Sequence, residues 1–161
     1  MIRKLVFTCS LAALFIISGN AQSYTTSAGI RLGLFNGLTV KHFIEPDRAL
    51  EGLLSWRWDG FVVTGLYEFQ KPLNIEGVSN LDWYIGGGAH IGFWGANNYY
   101  YGPADRVNSY TVGGLDFILG MEYTFDEVPI TLSLDWKPAF NIFGDSHWWG
   151  DGGAFSVRYV F

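Results

Sequence analysis

Cysteine is nearly absent. Cys9 is the single one, and it lies in a leader-like segment, so residues 22–161 hold none. Disulfides are thereby excluded as a source of stability for an exported chain. Charge is scarce as well: charged residues make up 16% of the chain, against about 25% in an ordinary globular protein. Beyond the leader no run approaches the ~18 consecutive apolar residues of a membrane-spanning helix, which excludes a helical membrane protein. There is no nucleophile elbow, phosphate loop or zinc spacing. His42, His90 and His147 are too dispersed to suggest a metal, so no catalytic residue, metal or cofactor is assigned. Setting Arg3 and Lys4 aside, eight basic residues face fifteen acidic ones, which argues against nucleic acid as a partner.

Aromatics are what the chain has in plenty, at 18%, together with 21 glycines. At the N-terminus, Arg3 and Lys4 precede an apolar core over residues 5–17 and a small-residue site at Ser18-Gly19-Asn20-Ala21. This order predicts a secretory signal peptide over residues 1–21, cut after Ala21. The context of Cys9 does not fit lipoprotein cleavage. Residues 22–161 then form one domain.

That domain alternates with period two in eight segments: residues 28–35, 38–44, 49–58, 61–70, 81–94, 110–125, 130–137 and 154–161. Asn36-Gly37 and Asp59-Gly60 are predicted as hairpin turns. Only the third segment, RALEGLLSW, would also suit a short helix. GANNYYYGPADRVNS and PAFNIFGDSHWWGDGG are predicted as long loops, and DEVP as a tight turn. The expectation is all-β.

Each strand has two unlike faces. Ile130, Leu132, Leu134 and Trp136 alternate with Thr131, Ser133, Asp135 and Lys137. Leu115, Phe117, Leu119, Met121, Tyr123 and Phe125 alternate with Asp116, Gly120, Glu122 and Thr124. The aromatics of the apolar face are sorted by depth. With the chain starting in the periplasm, Trp56, Trp58, Phe61, Phe93, Trp136 and Phe155 fall at the outer strand ends. Tyr67, Phe69, Trp83, Tyr123, Phe125, Tyr159 and Phe161 fall at the inner ends, and aliphatic residues lie between. A soluble core has no reason for such sorting, whereas two aromatic girdles around an aliphatic band suit a bilayer. The same orientation puts both long loops outside and DEVP inside. The predicted fold is therefore an eight-stranded antiparallel up-and-down transmembrane β-barrel.

The other face then lines the lumen, where Arg31, Lys41, Arg57, Lys137 and Arg158 oppose Glu51, Glu68, Asp82, Asp116, Glu122 and Asp135, with His90 in register. Eight strands leave an interior that side chains just fill, so these charges are expected to form an ion-pair network. A narrow ion path, a small-ligand site or a catalytic carboxylate pair is the alternative. Tyr99, Tyr100 and Tyr101 in one loop, and His147, Trp148 and Trp149 in the other, are candidate contacts with a sugar, lipid headgroup or protein. They could equally rest on the barrel rim. His42 falls on the apolar side.

FSVRYVF, ending at Phe161, resembles the C-terminal signature of bacterial outer-membrane β-barrels. GIRLGLFNGLTVKHF, GFVVTGLYEFQKPL, WYIGGGAHIGFW, GLDFILGMEYTF and ITLSLDWKPAFNIFG look like the small outer-membrane barrels of Bacteroidota-type bacteria. The resemblance implies residence in the outer membrane of a Gram-negative bacterium, contact with its lipid, and recognition of the last strand by the barrel-assembly machinery. It implies no particular activity. The expected role is structural or in surface interaction. The alternatives are a lipid A-modifying enzyme using His42 and nearby Ser, and a soluble periplasmic calycin-like barrel around an apolar ligand.

Overall fold

The computed structural model describes residues 24–57, 60–94, 110–144, 148–150 and 152–161, with the side chains of Arg57 and Tyr110 left out. The predicted signal peptide, and the loop positions 99–101 and 147, lie outside them.

Among the described residues, ten strands make eight staves. They are β1 (Thr26–Gly33), β2 (Asn36–Glu45), β3 (Arg48–Arg57), β4 (Gly60–Pro72), β5 (Leu81–Trp94), β6 (Tyr110–Thr124), β7 (Ile130–Trp136), β8 (Ala139–Phe143), β9 (Trp148–Trp149) and β10 (Gly153–Val160). All pairings are antiparallel; β10 pairs both β1 and β7, β6 pairs both β7 and β8, and β5 pairs β6, so the sheet closes on itself. Phe161 N–H donates to Thr26 O at 2.9 Å, and Thr26 N–H donates to Phe161 O at 3.3 Å. Closure removes the unpaired edges that an open sheet would expose.

Two expectations about connections are corrected. Arg31 pairs Gly37, so the first turn is centred on Leu34 and Phe35, not on Asn36-Gly37. Asn36 Oδ1 instead accepts from Gly33 N–H at 3.1 Å. Gly37 sits inside β2, where an added Cβ would come within 2.2 Å of Leu54 O; the glycine serves close strand approach rather than turn geometry. Likewise Gly60 pairs Arg57 within the β3–β4 ladder, and the residues between them lie outside the described set.

The second predicted long loop also contains strand, over Ala139–Phe143 and Trp148–Trp149. β8 continues the stave begun by β7, pairing with the outer part of β6, and β9 pairs β8. Pro138, which has no N–H to give, interrupts the stave, but its carbonyl still accepts from Phe117 N–H at 3.0 Å. Proline ends the alternation in sequence without ending the ladder. At the end of the barrel where the described residues begin and finish, Tyr24 and Phe161 (the termini side), the turn after β4 is folded by Val78 N–H to Ile75 O at 3.0 Å. There Gly77 and Asn80 adopt positive φ.

The faces sort as alternation predicts. Leu134 is 60% exposed and Leu115 57%, while Arg158 and Glu122 are fully buried. Phe117 and Leu119 point out with them, and Asp116 and Asp135 point in. The lumen is not purely ionic, however. Leu53, Leu66, Tyr84 and Ile118 form a buried apolar cluster inside it. Ile118 lies between outward Phe117 and Leu119, a continuous apolar run in which residue type cannot reveal the face.

Candidate functional site: the packed lumen

Near the termini, side chains from six strands converge on Arg158 and Lys41. Arg158 Nη2 donates to Glu51 Oε1 at 3.0 Å, and Nη1 to Glu122 Oε2 at 2.8 Å and Ser133 Oγ at 3.1 Å. Its Nε donates to Thr39 Oγ1 at 3.2 Å, and the Thr39 hydroxyl donates to Glu51 Oε1 at 2.5 Å. Lys41 Nζ lies 2.8 Å from Glu68 Oε2, 3.8 Å from Glu122 Oε2 and 4.1 Å above the Tyr84 ring. Gln70 Nε2 donates to both Glu122 Oε1 and Asp82 Oδ2 at 3.0 Å. The Tyr24 hydroxyl also donates to Glu122. Glu51 and Glu68 face the lumen as diagonal neighbours on adjacent strands, Glu51 opposite Leu66 and Glu68 opposite Ala49, a spacing that long side chains can bridge.

Toward the opposite end, Arg31 grips Asp135 through both terminal nitrogens at 2.5 Å, and the Tyr84 hydroxyl donates to the same carboxylate at 3.1 Å. Such a fork is the strongest geometry a guanidinium offers. Gly120 makes space for Tyr84, since an added Cβ would come within 2.5 Å of its ring. Beyond this pair Lys137 binds Asp116. His90 Nδ1 is 2.6 Å from Asp116 Oδ2, and its Nε2 is 2.9 Å from Asn141 Oδ1.

Trp149 covers this end. Its ring stacks on His90 with centroids 5.5 Å apart, and packs against Phe35 at 5.5 Å and Trp94 at 5.9 Å. A cavity of ≈ 20 Å³, lined by Arg31, Ser55, Thr64, His90, Lys137 and Trp149 among others, lies beneath. That is room for about one water molecule.

The predicted lumen residues therefore fall into three groups: Lys41, Glu51, Glu68, Glu122 and Arg158; Arg31 with Asp135; and Lys137 with Asp116. Asp82 is half-buried and reached by Gln70. Thr39, Gln70, Ser133 and Asn141 join the networks without having been singled out. Each occupies an inward register position, which a search for hydrogen-bonding residues in the alternation could have found. Tyr24 precedes the first strand and gave no signal.

On the outer wall, Trp56, Phe61, Phe93, Trp136 and Phe155 point outward near the loop end, and Phe69, Phe125 and Phe161 near the termini. Tyr67, Trp83, Tyr123 and Tyr159 are half-buried on the same wall. Trp58 lies outside the described residues. Of the expected loop contacts, Trp148 is 61% exposed, but Trp149 turns inward, because the β8–β9 pairing directs alternate side chains to opposite faces. His42 is exposed on the wall, with Thr26 Oγ1 2.8 Å from its Nδ1.

No protein-family model matches the chain, and no curated protein matches it. Among solved structures, the fold is similar to the N-terminal β-barrel domain of Pseudomonas aeruginosa OprF, with a TM-score of 0.63 and 15% sequence identity. The match covers 87% of this chain and 100% of that domain. It carries the architecture, a closed eight-stranded barrel, and at that identity nothing about activity.

Proposed function

We propose that this chain is an integral outer-membrane β-barrel of a Gram-negative bacterium, with a structural or surface-interaction role and a sealed lumen. One observation carries the reading: aliphatic side chains clothe the barrel while ion pairs fill it. Soluble monomers rarely expose contiguous apolar patches beyond a few hundred Å², yet here Ile30, Val40, Leu50, Val63, Ile91, Leu115, Leu119 and Leu134 face outward from successive staves. Hydrocarbon is the solvent that suits such a wall. Likeness to the fold of the OprF β-barrel domain supports the closed-barrel architecture on which this reading rests.

In this reading the aromatic residues at the two strand ends sit at the headgroup levels. Residues 1–21 direct export, and the β10 segment is what the assembly machinery recognises. The Bacteroidota-type affiliation belongs to the same proposal and rests on the quoted stretches. Continuous conduction does not suit a lumen in which Arg158, Lys41, Glu51, Glu68, Glu122, Tyr84, Leu53 and Ile118 are all but fully buried. The calycin-like alternative needed the apolar face inside, and the wall is inverted relative to it.

The decisive experiment is fractionation of cells expressing the full chain. Recovery in outer membranes, a detergent requirement for extraction, and heat-modifiable gel migration are expected. Protease added to intact cells should cut within residues 97–108. Extraction without detergent would overturn the membrane reading, and protection until permeabilisation would reverse the orientation.

A further inference from the structure

The charges of the lumen divide unevenly. Arg31–Asp135 and Lys137–Asp116 each balance one cation against one carboxylate. The termini-side cluster does not: two cations, Lys41 and Arg158, meet three carboxylates, Glu51, Glu68 and Glu122, and none of the five is more than 2% exposed. β1 offers Arg31, held by Asp135 of β7; β2 offers Lys41; β3, Glu51; β4, Glu68; β5, Tyr84 and the half-buried Asp82; β6, Glu122; and β10, Arg158. Tyr24 approaches from ahead of β1 and donates to Glu122. One negative charge is left over inside a closed wall, where an uncompensated ion costs several kcal/mol.

A second, independent observation points to the same place. Glu68 Oε1 and Glu51 Oε2 are buried and receive no hydrogen bond from any described residue, whereas Glu68 Oε2 at least faces Lys41 at 2.8 Å. Carboxylate oxygens only accept, so two neighbouring carboxylates leave both atoms without a donor. A single proton changes this. Placed on one carboxyl, it supplies an O–H that donates to the other, and it cancels the surplus charge in the same step.

We infer that Glu51 and Glu68 form a proton-binding site at the centre of the barrel, one carboxylic acid hydrogen-bonded to one carboxylate, stable at neutral pH. The inference requires the closed barrel and not its membrane location. It makes the cluster neutral with two cations, two carboxylates and one acid. It also makes glutamine, which mimics a protonated glutamate, the natural replacement for either residue, but not for both.

The test is infrared spectroscopy on the full chain folded in detergent at pH 7, with folding checked by heat-modifiable migration. A protonated-carboxyl stretch is expected, lost in Glu68→Gln and equally lost in Glu51→Gln, and retained in Asp135→Asn. Each single glutamine variant should melt at or above the temperature of the unchanged chain, while the double variant, carrying a surplus positive charge, should melt below both singles. Absence of the band in the unchanged chain, or its survival in both singles, overturns the inference. Stabilisation by added sodium or potassium, in place of the band, would mean that a metal cation fills the site, and would overturn it too. Should one single variant fail to fold, the other and the band itself still decide.

Discussion

Arg158 and His90 are both enclosed by the barrel, yet they are enclosed differently. Arg158 reaches side chains on four other staves, Thr39, Glu51, Glu122 and Ser133. All belong to ladders that are in register at those positions, the one shift in the β2–β3 ladder coming further on, between Phe43 and Glu45. His90 is held by Asp116 and by Asn141, which lies on β8 beyond the interruption at Pro138, and it is capped by one ring from the two-residue strand β9. The first site is clamped by strands paired in register around it. The second depends on a short hairpin whose pairing is sparse. Local stability follows local contact density, so the two ends of one lumen should differ in how readily they open.

Four substitutions bear on that difference. Arg158→Leu strands Glu51 and Glu122 and should cost about 3–5 kcal/mol, read by urea unfolding in lipid vesicles. A loss under about 1 kcal/mol would mean the clamp is ornamental and the two ends are equivalent. Phe117→Arg tests the wall that both ends share. A cation near the bilayer midplane should cost about 2–4 kcal/mol in vesicles, and little if the wall instead meets water.

Smaller effects follow at the loop end. Trp149→Ala should cost about 1 kcal/mol through the lost ring contacts. Planar bilayers holding this variant should conduct no better than the unchanged protein, because the Arg158 cluster still blocks the lumen. A conductance step would invert the comparison by making the aromatic cap the true barrier. The smallest effect belongs to Gly65→Ala on the outer wall, where an added Cβ meets nothing within 4 Å. Its stability should change by less than about 0.5 kcal/mol. A larger loss would show that something packs on that face.

Legibility in the sequence tracks the same division. Where strands alternate cleanly, as in Thr131–Leu132–Ser133–Leu134–Asp135, residue type alone reveals the inward set. Glu122, Asp135 and Arg158 could therefore be placed without coordinates. Their partners could not, since register is a property of ladders and not of single strands. At the loop end the pattern failed for identifiable reasons. Pro138 reads as an ending although its carbonyl stays in the ladder, and Trp149 reads as a surface ring although β9 turns it in. Asn36-Gly37 carries a turn signal that the close approach of Leu54 O to Gly37 overrides. The apolar cluster of Leu53, Leu66 and Ile118 was hidden because a greasy residue is compatible with either face.

The junction of β1 with β10 has a consequence for how the molecule is made. It joins Ser27 to Val160 and Gly33 to Ala154, partners from opposite extremes of the chain, and long-range pairings carry the steepest entropic delay in folding. Until the final strand is delivered, Arg158 is missing from among its carboxylates and two sheet edges stand open. This seam is thus the last part of the cylinder to zip.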